Sequence, residues 1–190
     1  RMKKLSKNLA MYILYFAMFV AVFCVMTLKA EAANVTTGKL GDSNAITWTY
    51  DADTKTLTIT GEDSGVKGIY NDSTNGYISP FANICSDVEA IIVRDCTMSG
   101  SIKGLFAELD NLKSVKFDNF DVSNVTDVSY LFHGCGILNS LDLGTFDTSN
   151  VTDMSYMFCK CGQLAELDLS DFDTEKVTDT KDMFYSWSSS

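Results

Sequence analysis

The sequence predicts an α/β repeat fold, a solenoid of leucine-rich coils of about 26 residues, each a short strand plus a short helix, with an N-terminal β-hairpin cap. Three observations predict it. Val125–Asn150 (VTDVSYLFHGCGILNSLDLGTFDTSN) matches Val151–Lys176 (VTDMSYMFCKCGQLAELDLSDFDTEK) without a gap. Both copies contain L-x-x-L-x-L, at Leu138, Leu141, Leu143 and at Leu164, Leu167, Leu169. Both also carry apolar residues at helical spacing, as in Val151, Met154, Met157 and Phe158. A period between about 20 and 50 residues marks an array whose units cannot bury an apolar side alone.

Within a coil, the last two leucines alternate with polar residues, as in a short strand with one buried face. Phe146 and Phe172 are expected to point inward. Asp147-Thr-Ser-Asn150 is turn chemistry. The i, i+3, i+6, i+7 spacing from Val151 then predicts one or two helical turns, with Thr152 or Asp153 as N-cap. A partial copy starts at Val177. A degenerate copy upstream contains Leu105, Phe106, Leu112, Val115, Phe117, Phe120 and Asp121, and a fainter one starts at Phe81. The chain stops inside a repeat, so the solenoid, assigned to residues 81–190, is expected to be truncated, with a last coil that frays or self-associates.

Residues 33–80 are expected to form the capping module. Ile46, Trp48 and Tyr50 alternate with polar residues, as do Leu57 and Ile59, and Asp51–Lys55 lies between them as a turn. Gly61–Gly76 reads as a loop. Residues 1–32 read as a secretory signal peptide: a basic start (RMKKLSKN), an apolar run from Leu9 to Leu28, and Ala30-Glu31-Ala32 as a cleavage site. An uncleaved anchor is the alternative, because about twenty apolar residues can span a bilayer. Export to the outside or to the cell surface follows from either.

Charge narrows the partners. The whole chain carries −10, but residues 33–190 hold ten bases and twenty-four acids, a net −14. That balance excludes a phosphate-backbone binder, which needs a basic footprint. It also excludes electrostatic docking on anionic lipid, so membrane contact is expected only through the signal segment. The single His, His133, has only Cys135 as a near nucleophile, and no catalytic, cofactor or metal site is expected.

Cys135 and Cys161 share one repeat position, which allows either a disulfide or a ladder of buried thiols. Asp121, Asp147 and Asp173 form one acidic column, and Asp127, Asp153 and Asp179 another. They serve as turn and cap residues or as calcium ligands. The Asn-x-Ser/Thr triplets at Asn124 and Asn150 are repeat consensus and carry little information on glycosylation.

The quoted repeats, LNSLDLGTFDTSNVTDMSYMFCKC and LAELDLSDFDTEKVTDTKDMF, resemble those of the BspA-like leucine-rich-repeat surface proteins, with repeats shared with Mycoplasma-type lipoproteins. The preceding GKLGDSNAITWTYDADTKTLTITG and SPFANICSDVEAIIVRDC resemble the module that introduces such repeats. The resemblance implies a secreted or wall-associated bacterial protein that binds a protein or glycan on a host or neighbouring cell, and no catalysis. On this reading the binding face is the outward side of the strands: Ser114, Lys116, Asp118; Ser140, Asp142, Gly144; Glu166, Asp168, Ser170. A structural spacer presenting a further C-terminal domain is the alternative.

Cleavage after Ala32 makes the mature chain begin at Ala33. N-terminal sequencing of exported protein is expected to read Ala-Asn-Val-Thr; an intact chain held in the membrane would establish the anchor.

Overall fold

The computed structural model describes residues 34–41, 44–64, 69–71, 76–81 and 86–186. Residues 1–32, expected to be a signal peptide, lie outside them, as do Cys85 and Trp187. The chain divides into two compact units, 1–35 and 36–190.

Among the described residues eight strands form in chain order: β1 (Val35–Leu40), β2 (Ile46–Asp51), β3 (Thr56–Ser64), β4 (Ile69–Asn71), β5 (Gly76–Ile78), β6 (Ala90–Ser101), β7 (Ser114–Asp127) and β8 (Ser140–Leu141). Six make one sheet in the order β1-β2-β3-β6-β7-β8, and β4 pairs with β5 separately. The hairpin forms as expected: β2 and β3 are antiparallel, with Trp48 opposite Ile59 and Tyr50 opposite Leu57. From β3 onward the neighbours β6, β7 and β8 are parallel. The stretch from Gly61 to Gly76 is not simply a loop, since β3 continues to Ser64 and β4 and β5 follow.

The expected fold class needs correction. Among the described residues there is no helix, and the sheet is mixed, so the chain is not an α/β leucine-rich-repeat solenoid of strands and helices. The segment expected to be helical, from Val151 to Phe158, is instead part of a series of tight turns that runs on to Cys161. Met157, Cys159 and Cys161 donate their N–H to the carbonyl three residues back, whereas Met154, Tyr156, Phe158 and Lys160 donate to Asp179, Met183 and their neighbours about 25 residues ahead. The same alternation holds in the copy before it, where Val128, Tyr130, Phe132 and Gly134 donate to Asp153, Ser155, Met157 and Cys159. A helix needs every N–H for its own i−4 carbonyl, so the N–H groups committed to the next repeat forbid one.

The backbone conformation agrees. Tyr130, Tyr156 and Asp182 have φ of 59°, 57° and 51°, and Glu108, Gly134, Lys160 and Ser186 have 56°, 76°, 62° and 56°. Left-handed residues four apart interrupt any helical run, at a cost of about 1–3 kcal/mol for each that is not glycine. A helix of roughly nine residues would be marginal on its own, so packing decides, and packing is where the repeat gains. Phe106, Phe132 and Phe158 are fully buried and stack at 5.5 and 6.0 Å, with Phe184 next at 5.9 Å. Each buried phenylalanine contributes about 1.5–3 kcal/mol. The apolar positions that mimic a helical stripe are thus buried by turns instead.

On the sheet side, Ile91, Val93, Val115, Leu141, Leu143 and Phe146 point inward. At the hairpin end Trp48 is buried edge-on to Phe81. Gly38 lets β1 pass over it: a Cβ there would lie 2.3 Å from the Trp48 ring. The hairpin turn is tied to the repeats through Lys55, whose carbonyl accepts from the N–H groups of Glu89 and Ala90 and whose Nζ lies 2.6 Å from Glu89. Lys113 joins the same carboxylate, and hydrogen bonds from Lys113 and Lys55 hold its pKa down at about 2.

Leu143→Ala is expected to destabilise the protein by about 2–5 kcal/mol, and Asp142→Ala to change stability little. Urea unfolding of the two variants checks this; equal losses would mean the strand faces are exchanged.

Candidate functional site

All nine residues of the expected binding face are exposed: Ser114, Lys116 and Asp118 on β7; Ser140, Asp142 and Gly144 at and beyond β8; and Glu166, Asp168 and Ser170 one repeat further. They are brought to one side because the buried residues between them face the core and side chains alternate along a strand. Register carries the first row across the sheet, with Ser114 paired to Ser140 and Val115 to Leu141. Beyond Leu141 the regular ladder stops, and two grooves open. One, of about 440 Å³, lies between Asn139–Asp142 and Ala165–Glu166 over Val115. The other, of about 240 Å³, is lined by Leu141–Gly144, Asp168, Asp171 and Phe172.

The carboxylates on this face differ in restraint. Asp142 accepts from the Gly144 N–H at 3.0 Å and Asp168 from the Ser170 N–H at 2.9 Å. The backbone hydrogen bond from Ser170 lowers the Asp168 pKa. Asp142, Glu166, Asp168 and Asp171 form no ion pair among the described residues, where the only salt bridges involve Glu89 and Glu108.

The two aspartate columns are turn residues. Asp121, Asp147 and Asp173 accept from the N–H of Ser123, Ser149 and Glu175, and Asp127, Asp153 and Asp179 from that of Ser129, Ser155 and Lys181. Asp153 therefore closes a turn rather than capping a helix. Among the described residues no group of three or more potential ligands could hold a metal ion. Asn150 is engaged in the stack, donating to the Ser123 carbonyl and accepting from Lys176.

Cys135 and Cys161 are buried free thiols. Each donates to a carbonyl 29 residues back, Phe106 and Phe132, at 3.1 Å. Burial pushes Cys161 up to about 12 and raises Cys135 well above the usual thiol range. His133 is not directed to Cys135: its Nδ1 lies 2.9 Å from Glu108 Oε1, within ion-pair distance but out of line for a hydrogen bond.

Sequence reasoning did not single out Glu108. The usable signal was Gly134, which occupies the position of Glu108 and Lys160; a Cβ there would come within 2.6 Å of the Glu108 carboxylate. Sequence reasoning also missed the Tyr130–Tyr156 stack at 4.6 Å, over which Lys103 and Lys181 lie at 5.4 and 5.7 Å from the ring centres. Its signal was an identical residue at the repeat period.

Residues 100–189 match the family described as Mycoplasma protein of unknown function, DUF285, a little under half of the chain. No curated protein and no solved structure matches. The matched segment contains every residue of the exposed face, and the β2–β3 hairpin lies outside it.

Cys135 and Cys161 are expected to resist iodoacetamide in the folded protein at mildly alkaline pH, because a thiol with a raised pKa stays protonated and a buried one is shielded. Both should label fully after denaturation. Peptide mass mapping checks this; labelling in the folded chain at the denatured rate would contradict the burial.

Proposed function

We propose that the chain is a secreted or cell-surface recognition module of the BspA-like kind, binding a protein or glycan on a host or neighbouring cell and carrying out no catalysis. One observation carries the reading: nine outward residues from three successive repeats, rich in carboxylates and hydroxyls, share one exposed side beside two open grooves. Such a face offers hydrogen-bond acceptors and negative charge over a continuous area, which suits a basic or hydroxyl-rich partner. The match of residues 100–189 to a Mycoplasma family agrees with the Mycoplasma-type repeats, and the basic and apolar N-terminus supports export.

The test is binding of the labelled full chain to fixed epithelial cells and, separately, to intact bacterial cells. Asp142→Lys with Asp168→Lys is expected to weaken binding by at least about tenfold, while Asp53→Lys in the hairpin turn leaves it unchanged. Binding to neither cell type, or binding indifferent to the double reversal, would favour the spacer.

A further inference from the structure

One turn position of the repeat holds side chains that the turn itself disfavours. Gly104, Tyr130, Tyr156 and Asp182 are equivalent residues of consecutive copies, and all four have positive φ, at 62°, 59°, 57° and 51°. Glycine takes that conformation freely, and Gly104 shows that the turn accepts it, whereas a bulky residue there is strained. Two tyrosines nevertheless follow one another. Their rings stack at 4.6 Å between centroids with planes 17° apart, at the close end of the range for aromatic pairs.

The backbone fixes that spacing. The Tyr130 N–H donates to the Ser155 carbonyl and the Tyr156 N–H to the Lys181 carbonyl, each at 2.9 Å, so the rings stay together while the copies remain paired. Both tyrosines are half-buried and reach solvent. Lys103, from the copy before, and Lys181, from the copy after, lie over the two rings at 5.4 and 5.7 Å from their centres. The lysines cover the outer faces, and the inner face of each ring meets the other ring.

Phenols held in this way favour oxidative coupling with each other over coupling with a second molecule, because proximity replaces a collision. The usual first targets of an oxidant are shielded. Among the described residues Cys96, Cys135, Cys159 and Cys161 are buried free thiols, and Met98, Met154, Met157 and Met183 are buried too. Oxidants attack exposed thiolates in preference to buried thiols.

We propose that Tyr130 and Tyr156 form a modification site, at which a peroxide-driven one-electron oxidant of the haem peroxidase class makes a dityrosine link within the chain. Each phenol gives up one electron and one proton. A bond then forms between the ring carbons beside the two hydroxyls, and the hydrogen on each of those carbons moves to its oxygen, restoring both phenols. One hydrogen peroxide takes up both electrons and both protons and leaves as two waters. Because proton and electron depart together, no positive charge develops between the two ammonium groups. The product joins covalently two copies that hydrogen bonds and packing hold in its absence.

The test treats the dilute, purified full chain with a haem peroxidase and limiting hydrogen peroxide. Cleavage before aspartate then separates the two tyrosines, since Asp142, Asp147 and Asp153 lie between them. The monomer is expected to show dityrosine fluorescence and a joined pair of peptides, residues 127–141 with 153–167, lighter than their sum by two hydrogens. Its yield should be at least about tenfold higher from folded than from urea-unfolded chain. Tyr130→Phe and Tyr156→Phe, which keep a ring in the stack and remove one phenol, should each lose the pair. Tyr185→Phe, at an exposed tyrosine outside the stack, should keep it.

Absence of the pair from the folded monomer, an equal yield from unfolded chain, or its persistence in either stack variant would overturn the proposal. Dityrosine found only between molecules, or only at other tyrosines, would overturn it as well. Should a variant not fold, the comparison of folded with unfolded unsubstituted chain still decides.

Discussion

Amide groups handed from one repeat to the next hold this structure together. In each full copy four N–H groups, such as those of Val128, Tyr130, Phe132 and Gly134, are satisfied by carbonyls of the following copy. The intervening N–H groups close turns within their own copy. A buried amide without a partner is costly, so no copy can be complete by itself. The phenylalanine stack depends on this arrangement, because the hydrogen-bond spacing brings Phe106, Phe132 and Phe158 into contact. Thr126, Thr152 and Thr178 extend it, each hydroxyl donating to a carbonyl 26 residues back.

The exposed side follows from the same periodicity and has an electrostatic consequence. Stacking identical positions puts carboxylates next to carboxylates. In the Asp127 column each side chain turns back onto its own backbone, and bridges Asp127–Asp153 and Asp153–Asp179 keep neighbouring copies paired. At Asp142 and Asp168 the carboxylates also close turns, and no backbone hydrogen bond joins the two segments there. The weak point of the sheet and the candidate site are therefore one place.

Much of the burial was legible in the sequence. Leu141, Leu143, Phe146, Met154 and Phe158 are buried, and Ser140 and Asp142 exposed, as the alternation and the repeat require. The β2–β3 hairpin was legible because period-2 alternation flanked a turn-rich stretch. Val151, Met154, Met157 and Phe158 misled, because apolar spacing reports which side chains go inward, not which backbone carries them. A chain of tight turns with left-handed residues at Tyr156 and Lys160 reproduces that pattern without one i−4 bond. The Glu108–His133 pair was hidden for a related reason: the partners sit in different copies and at different positions within them.

Sequence by itself determined the 26-residue period, the division into inward and outward residues, the hairpin and the acidic outer face, since each is a matter of residue order and alternation. The tertiary structure alone decided the conformation between the strands, the state of Cys135 and Cys161 as carbonyl-bound thiols, and the place where the ladder opens. The physical reason is shared. An amide, a thiol or a carboxylate has several partners it can satisfy locally, and the choice falls to whichever group the neighbouring repeat presents, which no single repeat contains.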